Sequence, residues 1–383
     1  MRIGINALFL IPSKVGGSEV YLRNLLCHLA KIDKQNEYIL FTNKENFHTF
    51  QISQPNFTEV LCPIKAGFRP ARVFWEQFIL PFQIKKHNIE VLHSPGYTAP
   101  LLPSCYSIVT IHDMNCFYYP EDFSKLTTFF LKLLVTLAAR RSDRIITVSR
   151  DSKKDIVQIL KIPESKICVI YEAGSSRVSS FTIAKNKARE KLKKRYGTDK
   201  KFILNVSASH PHKNLHRLME AYDILCKRYQ IDCQLVIVGI KGQAQSALMS
   251  LVKELCLEER VMFTGWIPNE DLSLLYSEAE LFVFPSLFEG FGLPVLEAMA
   301  HGTPVVSSNA ASLPEVAGKA AVLVDPYSVD EIAEAMHRIL TEGNLRSKLV
   351  KKGRQRARRF SWEKTAKETL AVYKRTCSRA SSR

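Results

Sequence analysis

Two glutamates, Glu289 and Glu297, stand at either end of a glycine-rich segment and have the types and spacing for ligand chemistry. Between them, Gly292 and Pro294 are incompatible with one continuous helix. We therefore predict a buried strand, a loop and a helix that begins near Leu293, with the proline in its first turn. Backbone amides at a helix start bind anions, and carboxylates accept hydrogen bonds from sugar hydroxyls. The pattern indicates a site for a phosphate joined to a hydroxyl-rich group; the alternative is a helix cap with a surface glutamate.

Three further segments supply groups that suit a diphosphate or a sugar. Lys213 follows an apolar run and can neutralise a leaving diphosphate, whereas the neutral ring of His212 would offer one donor; a solvated loop lysine is the alternative. The pair Gly16 and Gly17 precedes a helical pattern, where glycine lets the backbone approach a diphosphate, although most such pairs are simple turns. His112 ends an apolar run, a position that favours a site role over a structural one.

Short apolar runs alternate with amphipathic stretches throughout the chain, which predicts parallel strands joined by helical crossovers. Helical patterns cover residues 18–30, 73–86, 125–140 and 150–160 of the first half and 215–229, 329–340, 345–359 and 362–373 of the second. Strands are expected at residues 3–9, 38–42, 91–93, 108–111, 144–148, 168–171, 202–206, 235–238, 261–263, 281–284, 304–307 and 321–324. The fold class is therefore α/β, with two doubly wound Rossmann-like domains.

The expected domains cover residues 1–175 and 176–360, with a connection at 172–180. Ligands of such sheets bind beyond the carboxyl ends of the strands, which predicts a central cleft between the domains.

The glutamate pair resembles the Glu-x7-Glu motif of retaining glycosyltransferase family 4, whose members have the GT-B fold. The resemblance extends over nearly the whole chain, from the glycine pair to Trp362, and is close to bacterial polysaccharide mannosyltransferases. It implies that residues 361–383 form a helix that returns to the N-terminal, acceptor-side domain, followed by a tail. The family often has Arg-Lys-Asn where this chain has His-Lys-Asn, and this departure affects only the role of His212.

The resemblance also assigns roles to individual residues. Glu289 would contact the donor sugar and Glu297 the ribose, while His112 would approach the sugar. Glu289, His112 and Lys213 are the expected catalytic residues. The other expected donor-binding residues are Gly16, Gly17, His212, Trp266, Ile267, Phe291, Gly292 and Leu293. For Trp266, burial in the core is an equal alternative to contact with the nucleotide base.

Two smaller expectations come from strand ends. Asp113 is a candidate to orient His112 or the acceptor hydroxyl, and Ser149 is expected to cap the next helix.

Charge and aromatic residues suggest where the protein meets other molecules. Residues 185–201 and 346–359 carry +7 and +8 of the net charge of +17, which indicates an anionic membrane surface, or else solvated helix faces. Residues 69–82 mix bases with aromatics and form either an interfacial segment or, as we favour, a core-packing helix. Aromatics are scarce in the two basic stretches, which argues against nucleic-acid binding as the function.

Several classes of protein are disfavoured. No apolar run approaches the ~20 residues of a membrane span, and the first residues lack a signal-peptide pattern, so we expect a cytoplasmic protein, at most peripheral on the inner membrane. Nine scattered cysteines without a Cys-x-x-Cys pair favour free thiols, mostly buried. The sequence has no Asp-x-Asp, so no metal and no cofactor is expected.

The predicted function is retaining transfer of a hexose from a nucleotide-diphosphate sugar to a glycan or lipid-linked acceptor in cell-surface polysaccharide or lipopolysaccharide synthesis. Mannose from GDP-mannose is preferred because of the resemblance, and glucose from UDP-glucose is second. A nucleotide-sugar epimerase of the same fold is the alternative enzyme.

Overall fold

The structure is a computed structural model that describes residues 1–174, 185–198, 200–239, 242 and 244–378, with only the backbone of residues 185–189. Parts of the expected connection at 172–180 and of the basic stretch at 185–201 therefore lie outside the described residues. The chain divides into two compact units. The first unit comprises Met1–Glu172 and Ser361–Arg383, and the second comprises Ala173–Phe360.

The first unit is built on a seven-stranded parallel sheet with the order β3-β2-β1-β4-β5-β6-β7. Four of the six connections between its strands contain helices, which cover the sheet, as parallel strands require. The strands are β1 (Arg2–Asn6), β2 (Glu37–Thr42), β3 (Phe57–Leu61), β4 (Val91–Ser94), β5 (Tyr106–Thr110), β6 (Arg144–Thr147) and β7 (Ile167–Val169).

The helices of the first unit lie on both faces of its sheet. In chain order they are α1 (Gly17–Ile32), α2 (Arg69–Phe74), a π-helical turn (Trp75–Ile79), α3 (Leu80–Lys86), α4 (Asn115–Tyr118), α5 (Lys125–Arg141) and α6 (Arg150–Leu160). Ser149 caps α6 by accepting from the amide of Ser152, which confirms the expected cap.

The second unit repeats the plan with a six-stranded parallel sheet of order β10-β9-β8-β11-β12-β13. Its strands are β8 (Phe202–Val206), β9 (Gln234–Val238), β10 (Val261–Gly265), β11 (Leu281–Phe284), β12 (Val305–Ser308) and β13 (Val322–Val324). Its helices are α7 (Lys185–Tyr196), α8 (Leu215–Lys227), α9 (Gln245–Glu254), α10 (Asn269–Glu278), α11 (Leu293–His301), α12 (Leu313–Ala317), α13 (Val329–Thr341) and α14 (Gly343–Ala357).

The last helix, α15 (Trp362–Ser378), packs in the first unit beside α1. Trp362 and Tyr373 of this helix are fully buried there. The Tyr373 hydroxyl lies 2.7 Å from Nδ1 of His93 in β4, the central strand of the first unit's sheet, so the helix is fixed by polar as well as apolar contacts.

Two elements of the first unit differ from the sequence predictions. Strand β1 ends at Asn6, three residues earlier than expected, because the Asn6 side chain accepts the amide of Leu8 and turns the chain. The helix expected at 73–86 begins at Arg69 and contains a π-helical turn. Pro81 follows that turn, and its missing amide accounts for the local irregularity.

Strand β3 was missed altogether. It is an edge strand of partly exposed residues, so it has no continuous apolar run that the sequence could reveal. Across the described part of the chain, every helix is too short or too polar to cross a membrane.

Candidate active site

The second unit has a point where the direction of strand addition reverses, between the neighbouring strands β8 and β11. Open parallel sheets bind ligands beyond the carboxyl ends of the strands at such a point. The loop after β8 carries Lys213, and the loop after β11 carries Glu289. Two segments singled out from the sequence are therefore brought together at the position that the topology favours for a ligand.

Side chains of small polar residues hold these two loops together. The Asn214 amide donates to the carbonyl of Pro285 at 3.0 Å, and the Ser286 hydroxyl donates to the carbonyl of His212 at 3.2 Å. Ser312, after β12, donates to the carbonyls of Glu289 and Phe291, each at 2.9 Å. Asn214, Ser286 and Ser312 are all buried, so the loop geometry is fixed from within the fold.

The glycine-rich loop ends where the sequence predicted, with α11 beginning at Leu293 and a proline in its first turn. Gly292 has φ +104°, a left-handed conformation, and a Cβ at this residue would lie 2.6 Å from Cδ2 of Leu313. Only glycine suits both conditions. The helix start carries no side-chain cap, so its backbone amides and positive dipole end are available for the anion that the sequence predicts here.

Lys213 and Glu289 form a mostly buried ion pair. Lys213 Nζ lies 2.7 Å from Glu289 Oε1, and the two side chains are 18% and 12% exposed. The pair places a cation for phosphate and a carboxylate for hydroxyl groups side by side. A phosphate that binds Lys213 has to share or replace this carboxylate.

Glu297 lies in the second turn of α11 and receives a hydrogen bond that the sequence did not indicate. The hydroxyl of the fully buried Tyr276 donates to Glu297 Oε2 at 3.2 Å. Burial, followed by the charge of Glu297, raises the pKa of Tyr276 well above its usual value, so the hydroxyl keeps its proton and remains a donor. Tyr276 also stacks on His301, whose Nδ1 lies 2.8 Å from the Glu297 carbonyl. Tyr276 therefore positions the carboxylate predicted to hold ribose.

The remaining predicted residues of this unit differ in exposure. His212 is buried, and burial, together with Lys213, lowers its pKa to about 3, so its ring is neutral. Phe291 and Ile267 are also buried, which leaves backbone groups as their available contacts. Trp266 is 60% exposed beyond β10, so the alternative of a core tryptophan is wrong.

In the first unit, Gly16 and Gly17 lie at the start of α1. Gly16 has φ +68°, and among the described residues, apart from the chain neighbours, no atom lies within 4 Å of a Cβ built on either glycine. The backbone here is open on that side, as a loop that receives a ligand requires. Glu19 in the first turn accepts the amide of Ser13 at 2.8 Å and pairs with Arg23 at 2.8 Å, which fixes the loop before the helix.

His112, two residues after the end of β5, is buried and uses both ring nitrogens within the first unit. Nε2 lies 3.0 Å from the carbonyl of Pro95, and Nδ1 lies 3.2 Å from Glu172 Oε1. A backbone carbonyl and a carboxylate both accept, so the protonated ring can donate from both nitrogens at once. Burial opposes the charge, but the hydrogen bond and charge of Glu172 outweigh it, and the pKa of His112 is raised. A contact of this ring with a sugar requires one of these bonds to open.

Asp113 does not orient His112, contrary to one of its expected roles. Its two oxygens accept from the Tyr97 hydroxyl and the Asn115 amide, each at 2.9 Å. Glu172 holds the ring instead. Sequence reasoning missed Glu172 because it stands three residues beyond a short edge strand, in a stretch that was assigned to the domain connection.

Comparisons with known proteins agree with this fold and show the family. The family model "Glycosyltransferase Family 4" matches residues 15–173, and the model "Glycosyl transferases group 1" matches residues 186–356. Together the two models account for most of the chain and meet near the boundary between the units.

Individual relatives point the same way. O-antigen chain mannosyltransferase B of Escherichia coli is 32% identical over 291 residues, which are 76% of each chain. O-antigen chain mannosyltransferase RfbU of Salmonella typhimurium is 32% identical over 243 residues, or 63% of each chain. Among solved structures, sucrose-phosphate synthase from Thermosynechococcus elongatus has a TM-score of 0.76 with 21% identity over 98% of both chains, a likeness of fold alone. The chain belongs to glycosyltransferase family 4 and is a hexosyltransferase with the GT-B fold.

Proposed function

We propose that the protein transfers a hexose, with retention at the anomeric carbon, from a nucleotide-diphosphate sugar to a glycan or lipid-linked acceptor. The observation that supports this most is the arrangement at the β8–β11 switch point, where Lys213 pairs with Glu289 beside the uncapped start of α11. A cation, a carboxylate and an amide-lined helix start match the diphosphate and the hydroxyl groups of such a donor. Glu297, held by Tyr276, is the proposed partner of the ribose.

In the proposed reaction, the bond between the anomeric carbon and the diphosphate oxygen breaks while the acceptor hydroxyl oxygen bonds to that carbon. The departing phosphate oxygen takes the hydroxyl proton, so the products are the glycoside and a nucleoside diphosphate. Lys213 and the amides of α11 stabilise the negative charge that grows on the leaving group. These groups perform the electrostatic work of a metal, and we propose transfer without a metal ion. The roles predicted for Gly16, Gly17 and His112 stay predictions.

Mannose from GDP-mannose is the proposed donor, because two of the relatives are named as O-antigen chain mannosyltransferases. Glucose from UDP-glucose is the second candidate. The same names support an acceptor in cell-surface polysaccharide or lipopolysaccharide synthesis. A lipid-linked acceptor would be met at the cytoplasmic face of a membrane.

The donor is tested by adding GDP-mannose, UDP-glucose and related nucleotide sugars to the protein and recording the melting temperature. A ligand that binds only the folded protein raises it. We expect GDP-mannose to give the largest rise. An equal response to every nucleotide sugar would contradict recognition of a particular donor.

Transfer is tested with Glu289→Ala, and the exposed Glu254→Ala of the same unit is the matched control. We expect Glu289→Ala to lower transfer steeply while the nucleoside diphosphate still binds, and Glu254→Ala to act like wild type. Unchanged turnover in Glu289→Ala would refute the assignment. Incubation with donor alone, followed by NMR, distinguishes an epimerase, which would convert the sugar without an acceptor.

A further inference from the structure

Exposed apolar side chains are concentrated in the first unit. Of the 14 large hydrophobic residues exposed in the described part of the chain, 11 belong to that unit and three to the second. Scattered exposed apolar residues need no explanation, but a grouped set marks an interaction surface. Nine of the 11 lie on or next to α2–α3 and α5: Phe68, Phe74, Phe78, Phe82, Leu102, Leu126, Phe129, Phe130 and Leu133. We call these nine residues the aromatic face.

Each helix presents its part of the aromatic face on the side away from the core. Phe74, Phe78 and Phe82 recur every four residues, the spacing of one helix face, whereas Leu80 and Ile84 are buried on the opposite side. In α5, Leu126, Phe129, Phe130 and Leu133 have the same helical spacing and are 44–69% exposed. This corrects the core-packing interpretation of residues 69–82, which holds for only one side of that segment.

The two helices lie on the same face of the seven-stranded sheet. Leu92 of β4 packs in the core under α3, and Val109 of β5 packs in the core under α5. The register pairs Leu92 with Ser107 and Ser94 with Val109, so Leu92 and Val109 point to the same face. His93 points to the other face, where it meets α15. Loop residue Leu102 lies next to this region, since the amide of its neighbour Leu101 donates to Gln77 at 3.1 Å.

The exposed charges within residues 65–86 and within α5 are positive. In residues 65–86 the acid Glu76 is buried, whereas Lys65, Arg69, Lys85 and Lys86 are exposed. Helix α5 contains no acid and exposes Lys125, Arg140 and Arg141. Phenylalanine and leucine bordered by lysine and arginine form the composition of a surface that lies in the interface of an anionic membrane.

The basic stretches of the second unit fit this role less well. Lys191 and Arg195 both pair with Asp271, at 2.8 and 2.7 Å, and Arg346 pairs with Glu280. Part of their charge is therefore used inside the unit. The exposed hydrophobic residues of the second unit, Met249, Trp266 and Tyr327, lie outside both stretches.

We propose that the aromatic face of α2–α3 and α5 docks on the surface of an anionic lipid bilayer, with its phenylalanines at the headgroup boundary. This placement brings the first unit to the membrane that would hold the lipid-linked acceptor. The role of docking in transfer therefore rests on the proposed function. Docking itself depends only on the face and on lipid charge, so it can be measured without any transfer.

The test is flotation of the full chain with vesicles of phosphatidylglycerol and phosphatidylcholine, compared with phosphatidylcholine alone. We expect the wild type to bind the anionic vesicles. The double variant Phe78→Ser with Phe129→Ser should bind them about tenfold or more weakly. The double variant Met249→Ser with Tyr327→Ser, which removes exposed apolar residues of the second unit, is the matched control and should bind like wild type. A second pair, Phe82→Ser with Leu126→Ser, repeats the test elsewhere on the face.

The outcomes separate docking from its alternatives. Failure of the wild type to bind anionic vesicles, or equal weakening in the phenylalanine and control variants, overturns the proposal. The proposal is also overturned if sedimentation shows that the wild type is a dimer, that the phenylalanine variants are monomers, and that these variants still bind vesicles. The aromatic face would then be covered by a second copy of the chain. Binding of GDP, measured by calorimetry on the same preparations, tests the donor site separately and should not change in the phenylalanine variants.

Discussion

The ion pair between Lys213 and Glu289 gives a prediction in which ligand binding and transfer change in opposite directions. A diphosphate that takes Lys213 must compete with a carboxylate 2.7 Å from its ammonium group. The substitution Glu289→Gln keeps the shape of the side chain and removes this competition. We therefore expect the variant to bind GDP or UDP more tightly and yet to transfer sugar more slowly.

The size of the effect follows from the geometry. A hydrogen bond to a charged group contributes about 1.5–3 kcal/mol. Because both side chains retain some exposure, we take about 1–2 kcal/mol for the competition. At a factor of ten per 1.4 kcal/mol, nucleoside diphosphate binding should tighten about 5- to 30-fold. Transfer should fall about 100-fold or more, as when a charged or polar group that stabilises a transition state is removed.

Calorimetry with GDP and UDP measures binding, and nucleotide release from the nucleotide sugar measures transfer. Glu254→Gln, on the exposed end of α9, is the matched control and should change neither. Adding Glu289→Gln to a Lys213→Met background isolates the competition, because the gain in affinity should vanish without the lysine. Weaker nucleotide binding by Glu289→Gln, or a gain that persists in the Lys213→Met background, would refute the reasoning.

Three more predictions concern other parts of the two units. Tyr276→Phe should weaken binding of the preferred nucleoside diphosphate about 5- to 30-fold and leave binding of its 2′,3′-dideoxy analogue unaffected, as calorimetry can measure. The reason is that the tyrosine hydroxyl acts on the ribose through Glu297. Gly292→Ala should lower the free energy of unfolding by about 1–3 kcal/mol in urea titrations, since the new Cβ meets Leu313 in a left-handed conformation. Burial, and secondly the charge of His112, lowers the pKa of His93 to about 3. As the pH falls, His93 therefore becomes protonated in the unfolded chain before it does so in the folded protein. The resulting stability is present above pH 6.5 and is lost below it by about 1.4 kcal/mol per pH unit, a slope that His93→Gln should reduce.

The first two of these predictions have a control variant in the same protein. Tyr229→Phe, at a tyrosine that stacks on His337 and is not part of the loops at the switch point, should leave both nucleotides unaffected. Gly343→Ala, where a Cβ meets no atom of the described, non-neighbouring residues within 4 Å, should change stability by less than about 0.5 kcal/mol. Three results would contradict the respective explanations. They are an equal loss of affinity for both nucleotides in Tyr276→Phe, an unchanged free energy of unfolding in Gly292→Ala, and an unchanged dependence of that free energy on pH in His93→Gln.

Periodicity and turn residues were sufficient to predict most of the architecture. The alternation of apolar runs with helical stretches indicated two parallel sheets, because buried parallel strands must be apolar on both faces. The helix start at Leu293 was predictable since glycine and proline restrict the backbone locally. The half-exposed edge strand β3 and the π-helical turn depend on tertiary neighbours, so they leave no such local pattern.

The candidate site was predictable in its residue types and less so in its contacts. Lys213 and Glu289 were each identified from their own motif, but their ion pair follows from the adjacency of β8 and β11 in the sheet. The same is true of Tyr276, which reaches Glu297 from a different helix. Glu172 had no motif of its own, and its role became visible only as the acceptor of His112. Partnerships between distant residues require the topology, which one sequence does not contain.

The placement of α15 has a consequence for how the chain folds. The first unit is formed by the first 172 residues together with α15, whose Trp362 and Tyr373 are buried. In the sequence, α15 comes after the whole of the second unit. During synthesis, the second unit can therefore complete its core while the first still lacks part of its own. Proteolysis or truncation within α15 would expose apolar surface on α1 and disturb residues near position 20, although the cut lies more than 340 residues away. For folding, the second unit is an insertion into the first.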